Sequence, residues 1–226
     1  MKNRVLNAFD WFLIVGILAT NIVYSVLAGE LDLIGSITAV TGVLCVVLVA
    51  KGNIWNYFFG LINVSLYAYV SFKATAYGDA ALNALYYLPM QFVGYFAWRK
   101  RIDDVQVKAR RLSSNQRILV AAVCIALTIG LGFILRACGD GQPFKDSTTT
   151  VLSIVAQALM AMAFMEQWVL WIMTNLISIA MWVIFAVQGK HHAAVMVLMW
   201  SFYLMNSING LRVWLKLSNA AETKED

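Results

Sequence analysis

Long runs of apolar residues constrain this 226-residue chain more than any other feature. The hydrocarbon core of a bilayer is about 30 Å thick, and a helix needs roughly 20 apolar residues to cross it with its backbone hydrogen bonds satisfied internally. Because 61% of the residues are hydrophobic and 13% are charged, a polar surface cannot cover the chain in water. The sequence therefore predicts an all-α polytopic membrane protein.

The apolar pattern gives eight candidate spans. The first contains Asp10, Asn21 and Ser25, so it is either a spanning helix or an amphipathic helix in the interface. It is too polar for a cleaved signal peptide, and no small-residue cleavage pattern follows it. The eight segments are 9–28, 33–50, 54–72, 79–98, 117–136, 148–164, 168–187 and 192–215.

Motifs for metal binding or catalysis are missing from the sequence. Cys45, Cys124 and Cys138 have no CxxC spacing, and we interpret them as small apolar packing residues. His191 and His192 have no Cys or carboxylate at ligand spacing, so we interpret them as interfacial residues. A phosphate-binding loop and a Ser/His/Asp or Cys/His set are also missing. We therefore predict no metal, no cofactor and no enzymatic activity.

Basic residues are concentrated in the connection after the fourth span. Nucleic acid could bind such a cluster, but the flanking apolar spans make membrane topology the better explanation. By the positive-inside rule this connection and the C-terminal tail are cytoplasmic, and Glu30 and Asp32 lie outside. The cluster consists of Arg99, Lys100, Arg101, Lys108, Arg110, Arg111 and Arg117.

An internal repeat appears when the sequence is shifted by 116 residues. Each copy is a triple of spans, which leaves the chain on the side opposite to its entry, so a parallel second copy requires a linking span. The span 117–136 supplies it and predicts a 3+1+3 architecture with a pathway between the triples. The shift matches Trp55 with Trp171, Tyr87 with Tyr203, Gly94 with Gly210, and Trp98 with Trp214.

The chain is accordingly divided into five regions. An N-terminal hydrophobic or interfacial helix occupies 1–32, and the first three-helix repeat occupies 33–100. The basic loop, the linking helix and an outer loop occupy 101–147. The second repeat occupies 148–216, and a cytoplasmic tail occupies 217–226.

Amides and aromatic residues recur at helical spacing in the middle of the spans. Because unpartnered amides are costly in lipid, these faces should point into the bundle. They either join helices by hydrogen bonds or line a midplane pocket for a flat, hydroxylated or weakly cationic solute. The candidate pocket residues are Asn63, Tyr67, Tyr87, Gln91, Asn175, Trp182, Tyr203 and Asn206.

The mechanism is constrained by one proline and by the scarcity of charge in the spans. Pro89 removes the hydrogen bond to the Leu85 carbonyl, which predicts a kink one turn from Gln91 and a role in gating. The core spans contain no Asp, Glu, Lys or Arg away from their ends. Such residues are the usual proton relays and ion sites of coupled carriers, so the sequence favours passive facilitated transport.

The sequence contains the stretches WNYFFGLINVSLYAYVSF, YGDAALNALYYLPMQFVGYFAWRK, WVLWIMTNLISIAMW and YLMNSINGLRVW. Together they resemble the PnuC family of bacterial nicotinamide riboside transporters. The resemblance covers roughly residues 33–216. It implies a 3+1+3 fold related to the SWEET sugar transporters, one central site, and facilitated uptake across the bacterial inner membrane. It also implies a functional link to a cytoplasmic kinase that traps the riboside by phosphorylation.

The resemblance also suggests roles for the candidate residues. Trp182 would stack on the pyridinium ring of nicotinamide riboside, with Tyr87 or Tyr203 as a second aromatic face. The carboxamide and the ribose hydroxyls would be bound by the four amide side chains, Asn63, Gln91, Asn175 and Asn206. Trp55 and Trp171 would close the pocket toward the inside. Thiamine or riboflavin remains an alternative substrate, a non-transporting membrane scaffold an alternative function, and a lipid-modifying enzyme a remote third. Membrane lipid is an expected partner, nucleic acid is not, and a homo-oligomer is compatible with the sequence.

Overall fold

The computed structural model describes residues 6–29, 33–73, 77–103, 106–189 and 193–222. His191, His192, Glu30 and Asp32 lie outside these ranges. Helices occupy all eight predicted segments. They are α1 (Ala8–Ala28), α2 (Leu33–Ala50), α3 (Asn56–Lys73), α4 (Tyr77–Leu82), a π-helical segment (Asn83–Tyr87), α5 (Leu88–Arg99), α6 (Ser114–Ala137), α7 (Pro143–Ala161), α8 (Gln167–Val187) and α9 (Ala193–Glu222).

Five of the described helices, α1, α2, α6, α8 and α9, are long and apolar enough to cross a bilayer. The class predicted from the sequence, an all-helical multi-pass membrane protein, is confirmed. Most boundaries lie within three residues of the prediction, and the two largest differences are that α7 begins at Pro143 rather than at residue 148 and that α9 continues to Glu222 rather than ending at 215. We call α2, α3 and the α4–α5 segment the first half, and α7, α8 and α9 the second half.

Helix α1 packs into the bundle through one face of the segment from Asp10 to Thr20. Leu13 and Ile17 are fully buried in a cluster that includes Val43 of α2 and Phe202 of α9. Asp10, which interrupts the apolar pattern, is 1% exposed and forms an ion pair of 2.8 Å with Lys51 in the turn after α2. A buried charge is tolerated when it is paired. This packing favours a spanning helix over an interfacial one.

The turns after α2 and α7 follow the same backbone course. Gly52 and Ala163, at equivalent places, both have left-handed φ angles, of 63° and 61°. The amide of Asn53 donates to the Leu48 carbonyl at 3.0 Å, and the amide of Phe164 donates to the Leu159 carbonyl at 2.9 Å. Asn53 and Phe164 are 111 residues apart, and the same separation holds for Leu48 and Leu159 and for Gly52 and Ala163.

The turn geometry corrects one match made from the sequence. Trp55 lies in the turn before α3 and corresponds to Glu166, whereas Trp171 lies in the second turn of α8. The match of Trp55 with Trp171 is therefore wrong. Its cause is an insertion of five residues in the second half: α8 is three residues longer than α3, and the connection after α8 is two residues longer than the connection after α3. The shift of 116 residues applies only after that insertion, to the third helices, where Trp98 matches Trp214.

Two buried indoles join the halves reciprocally. Trp98 of α5 donates its Nε1–H to the Met160 carbonyl of α7 at 2.8 Å. Trp214 of α9 donates to the Val49 carbonyl of α2 at 2.9 Å. Both rings are fully buried, and their centroids are 5.5 Å apart. Each third helix is thus attached to the first helix of the other half.

Neighbouring aromatic contacts follow the same pattern within each half. The Tyr57 side chain lies against Gly94, where an added Cβ would stand 2.4 Å from the phenol oxygen. The Trp168 ring lies against Gly210, where an added Cβ would stand 2.6 Å from the ring. A larger residue at either glycine would separate the second helix of that half from the third.

The basic connection after α5 crosses both turns. Its strands β1 (Ile102–Asp103) and β2 (Gln106–Val107) form a short antiparallel hairpin. The Val107 amide then donates to the Gly52 carbonyl at 2.8 Å, and the Arg110 amide donates to the Ala163 carbonyl at 2.8 Å. The Arg110 guanidinium lies 4.3 Å from the centroid of the Phe164 ring. The sequence predicted only the side of the membrane on which this connection lies. The structure shows in addition that its backbone joins the two halves.

The irregularity expected at Pro89 takes the form of a widened helical turn. The π-helical segment Asn83–Tyr87 directly precedes α5, and the Leu88 amide donates to the Asn83 carbonyl five residues earlier. Pro89 has no amide to continue the usual ladder, so the helix accommodates it by a local change of hydrogen-bond spacing. The Pro89 side chain itself is exposed.

Replacement of Trp98 by Phe tests the reciprocal indole contacts. Trp98→Phe keeps an aromatic ring but removes the donor to the Met160 carbonyl. That carbonyl still accepts a hydrogen bond from the Ala163 amide. We expect the free energy of unfolding to fall by about 1 kcal/mol, the net value of one hydrogen bond. Thermal unfolding of the purified protein in one detergent measures the change. Trp11→Phe, at an indole that is 55% exposed, is the control, and equal midpoints for both variants would contradict the assignment.

Candidate functional site

The helices α2, α5, α7 and α9 meet between the two halves, and we call this region the central junction. On one side, the Tyr86 hydroxyl donates to the Ile154 carbonyl of α7 at 2.6 Å, and Tyr87 faces Ser153 of the same helix. On the other side, Asn206 of α9 donates from Nδ2 to the Val46 carbonyl of α2 at 3.2 Å. Polar side chains from both halves therefore reach the junction.

Gln91 lies at the junction with an unused acceptor. Its side chain is 5% exposed, and Nε2 donates to the Tyr87 carbonyl at 3.2 Å. Its Oε1 has no hydrogen-bond partner among the residues that the structure describes. A Cβ at Gly60 would lie 2.4 Å from this oxygen and 3.1 Å from the Cys45 sulfur. Glycine at position 60 thus lets the amide lie directly on α3, beside α2.

Asn206 and Tyr203 approach the same part of α2 from α9. Asn206 is 3% exposed, and its Oδ1 also lacks a partner within the described chain. Tyr203, almost one turn earlier, has Tyr67 and Cys45 as near polar neighbours. The structure therefore gathers four predicted site residues, Tyr67, Gln91, Tyr203 and Asn206, around residues 45–46.

Two other predicted amides bridge neighbouring helices. Asn63 donates from Nδ2 to the Thr38 carbonyl at 2.8 Å and so joins α3 to α2. Asn175 donates from Nδ2 to the Ser207 hydroxyl at 2.9 Å and joins α8 to α9. The donor groups of both residues are used for helix association, one of the two interpretations that the sequence allowed.

Trp182 lies on the face of α8 that carries Asn175, seven residues earlier. Positions i and i+7 share one face of a helix, so this face is turned toward α9. Because α8 and α9 are antiparallel, the contact of Asn175 with Ser207 places Trp182 near the level of Trp200. The Trp200 and Tyr203 rings are 5.8 Å apart. The Trp182 ring packs edge-to-face on Phe185 at 5.5 Å.

The three predicted gate residues have different environments. Trp55 is 58% exposed and packs edge-to-face on Phe58. Pro89 is exposed on the outer face of its helix. Trp171 is partly buried and packs against the cluster that contains Trp98 and Trp214. Of the three, Trp171 is the residue that the structure brings to the interior.

Gln157 of α7 is a polar residue that the sequence analysis missed. It is 6% exposed, and its Nε2 has no partner within the described residues. Ile154 and Met160, three residues to either side, accept hydrogen bonds from the α4–α5 segment, so Gln157 lies on the face of α7 turned to it. A single amide in the middle of an apolar span was the available signal.

The central junction is polar but uncharged. In the described chain, the buried polar residues of the spans are amides and hydroxyls, and the buried charged residue is Asp10, which is paired at the Lys51 turn. Within those residues no group of three His, Cys, Asp or Glu side chains could hold a metal ion. The junction can therefore bind neutral polar groups through amides and a cationic ring through aromatic faces.

The different environments of Asn175 and Gln91 predict different effects on stability. Asn175→Ala removes the donor to Ser207 and should lower the free energy of unfolding by about 0.6–1.7 kcal/mol, the range for hydrogen bonds between membrane helices. Gln91→Met replaces an amide with an unsatisfied oxygen by an apolar side chain of similar length, so stability should be unchanged or higher. Thermal unfolding of the ligand-free protein measures both. The reverse order of midpoints would contradict this distinction.

Comparison with known proteins adds independent information. A family model described as "Nicotinamide mononucleotide transporter" matches residues 32–216. A Neisseria mucosa protein named nicotinamide riboside transporter PnuC is 43% identical over 190 residues, which cover 81% of this chain and 72% of the relative. The Haemophilus influenzae protein of the same name is 36% identical over 185 residues, with coverage of 80% and 78%.

Relatives also include an Escherichia coli protein and a solved structure. The Escherichia coli nicotinamide riboside transporter PnuC is 32% identical over 218 residues, covering 83% of this chain and 88% of the relative. A structure described as "Crystal structure of the Vitamin B3 transporter PnuC" superposes with a TM-score of 0.76 at 39% identity. That match covers 95% of this chain and 94% of the other.

Proposed function

This chain belongs to the PnuC family of membrane transporters, and we propose that it takes up nicotinamide riboside by facilitated diffusion through the central junction. The observation that carries this proposal is that three buried amide atoms of the junction, Gln91 Oε1, Gln157 Nε2 and Asn206 Oδ1, have no hydrogen-bond partner among the described residues. They come from α5, α7 and α9, three of the four helices of the junction. A buried polar group without a partner costs free energy that a bound ligand can recover.

The substrate class follows from the chemistry of these groups. Nicotinamide riboside presents a carboxamide, ribose hydroxyls and a pyridinium ring. Amides can bond the first two, and Tyr or Trp faces attract a delocalised cation. The mononucleotide named by the family description carries a phosphate in addition. Because the buried residues of the described junction include no Lys or Arg to pair with a phosphate, its chemistry favours the riboside.

We assign the residues as follows. Gln91, Gln157 and Asn206 would bind the carboxamide and the ribose hydroxyls. Tyr203, with Tyr67 or Tyr87, would supply one aromatic face, and Trp182 would supply a second toward the far end of α8. Asn63 and Asn175 would hold α3 and α8 in place around the site. Trp171 would close the site toward the turns, with Pro89 and its π-helical segment permitting movement of α5.

We infer that the two halves are copies of one three-helix unit in a 3+1+3 arrangement, with α6 as the linking helix. The matched turns and the reciprocal bonds of Trp98 and Trp214 support this inference. Parallel copies would be related by an axis along the membrane normal, and the junction would lie on that axis.

We further propose insertion in the bacterial inner membrane with the C-terminus in the cytoplasm. The basic connection after α5 and the C-terminal part of α9 lie at one end of the bundle, because Arg111 donates to Ser218 at 2.9 Å. Positive charge favours the cytoplasmic side. Uncoupled transport fits a junction without charged groups, and a cytoplasmic riboside kinase would then retain the substrate.

Binding measurements test the residue assignment. We expect Gln91→Ala and Trp182→Ala each to weaken the binding of nicotinamide riboside about tenfold, the effect of roughly 1.4 kcal/mol of lost contact. Isothermal titration of the purified proteins measures the dissociation constants. Asn115→Ala, at an exposed amide on α6, is the control. Unchanged affinity in both Gln91→Ala and Trp182→Ala would overturn the assignment.

Uptake by sealed vesicles tests the substrate and the mechanism. Labelled nicotinamide riboside should equilibrate across the membrane and be displaced by the unlabelled riboside but not by the mononucleotide. An imposed proton or sodium gradient should not cause accumulation of unmodified substrate. Equal competition by the mononucleotide, thiamine or riboflavin would contradict the substrate assignment. Accumulation against the gradient would contradict passive transport, and an absence of uptake would support a membrane scaffold.

A further inference from the structure

Helix α1 belongs to neither half, yet it contacts the helix that carries two of the proposed binding residues. It packs against α2 and α9. Leu13 and Ile17 of α1 are buried in one cluster with Phe202 of α9, and Tyr203 packs against that cluster. Phe202 directly precedes Tyr203 in the chain. A helix outside the two halves therefore reaches the back of one wall of the central junction.

The Phe202 ring lies in a notch on α1, formed by Phe12 and Gly16. A Cβ added at Gly16 would stand 2.4 Å from Cε1 and Cζ of the ring. Phe12, one turn earlier on the same face of α1, packs on the ring with centroids 5.6 Å apart. Carbon atoms that are not bonded pack at about 3.5–4.0 Å. A methyl group at position 16 would therefore displace the ring from the notch.

The face of α9 that carries Phe202 also carries a proposed binding residue. Phe202 and Asn206 are four residues apart and lie on one face of the helix. Asn206 donates to the Val46 carbonyl of α2 at 3.2 Å. Val43, three residues earlier on α2, is buried in the cluster with Phe202. A rotation of α9 that moves Phe202 out of the notch would move Asn206 as well, and Tyr203 with it.

An ion pair fixes the position of α1 along its own axis. The buried carboxylate of Asp10 lies 2.8 Å from Lys51 Nζ in the turn after α2. The same carboxylate accepts a hydrogen bond from the Asn7 amide at 2.7 Å. Separation of the pair would leave a buried charge without its partner, which is strongly unfavourable. The pair therefore resists sliding of α1, and the notch keeps a fixed height against α9.

We propose that α1 is a brace that sets the rotation of α9, with Gly16 and Phe202 as positioning residues for Tyr203 and Asn206. The proposal rests on the proposed function, because it concerns two residues assigned there to the substrate. The brace holds one wall of the junction from outside and contributes no side chain to the site itself.

Substitution of Gly16 tests the brace. Gly16→Ala should displace the Phe202 ring and weaken the binding of nicotinamide riboside about fivefold, within the range by which residues in contact couple. Phe202→Leu removes the two ring atoms that the new methyl group would meet at 2.4 Å. The double variant Gly16→Ala/Phe202→Leu should therefore regain most of the affinity. Isothermal titration of the purified full-length proteins measures the dissociation constants.

Gly132→Ala is the matched control. A Cβ at Gly132 would also stand 2.4 Å from a phenylalanine ring, that of Phe144, but this contact joins α6 to α7. Both alanine variants should lower the midpoint of thermal unfolding, because both overlap a buried contact. Only Gly16→Ala should change the affinity. Equal losses of affinity in Gly16→Ala and Gly132→Ala would overturn the proposal.

A measurement without substrate separates the brace from the proposed function. 3-Fluorotyrosine in place of Tyr203 gives a fluorine NMR resonance that reports the surroundings of this ring. Gly16→Ala should shift the resonance of the ligand-free protein, the double variant should reverse the shift, and Gly132→Ala should not change it. An unshifted resonance in Gly16→Ala, or wild-type affinity despite a shift, would overturn the proposal. A wild-type protein that binds no riboside would contradict the proposed function, and the shift would then still support the brace.

Discussion

The two indole hydrogen bonds of Trp98 and Trp214 are the contacts on which the rest of the structure depends. Each indole reaches a carbonyl on the first helix of the opposite half, so the halves are attached to each other twice at the same end. In a bilayer, apolar contact alone gives no preference for protein over lipid, and specific hydrogen bonds and close packing must fix the arrangement of helices. Neutral donors do this without placing charge between the halves. The interior can therefore remain uncharged as far as the junction, where the amides of Gln91 and Asn206 lie.

The turns of the two halves share a backbone course, but the halves differ in the polar side chains that they direct to the junction. Gln91 matches Ser207 in the register of the third helices. Gln157 of α7 matches Val46 of α2, which takes part instead through its carbonyl, the acceptor for Asn206. A site built from two identical copies would suit a symmetric ligand. Here Ser207 stands opposite the amide of Gln91, and the aliphatic Val46 stands opposite the amide of Gln157, so the two sides are chemically distinct. A ligand with a ring at one end and a sugar at the other requires such a difference.

Periodicity and apolar length predicted the helices well, because both depend on local sequence. The arrangement of the candidate site was predicted less completely. Amides at mid-span drew attention to Gln91 and Asn206, whose acceptor atoms have no partner in the described chain, but could not separate them from Asn63 and Asn175, which bridge helices. All four are Asn or Gln in apolar surroundings. The distinction depends on which helix each amide meets, and that is a property of the tertiary structure. Gln157 had the same signal and no neighbouring aromatic residue to draw attention to it. The mismatch of the repeat at Trp55 arose because an insertion in the second helix and in the connection after it changes the register, and two Trp residues happened to coincide at the wrong shift.

The basic connection has a mechanical consequence. Its backbone is hydrogen-bonded to one turn through Val107 and to the other through Arg110. These residues are three positions apart, so the chain between them spans at most about 11 Å when fully extended. The connection thus acts as a short tether across one end of the molecule. Separation of the halves at that end must break one of these bonds or strain the tether, whereas separation at the far end does neither. Two openings that look alike in a symmetric bundle would therefore differ in free energy, and the end with the tether would be the one that rests closed.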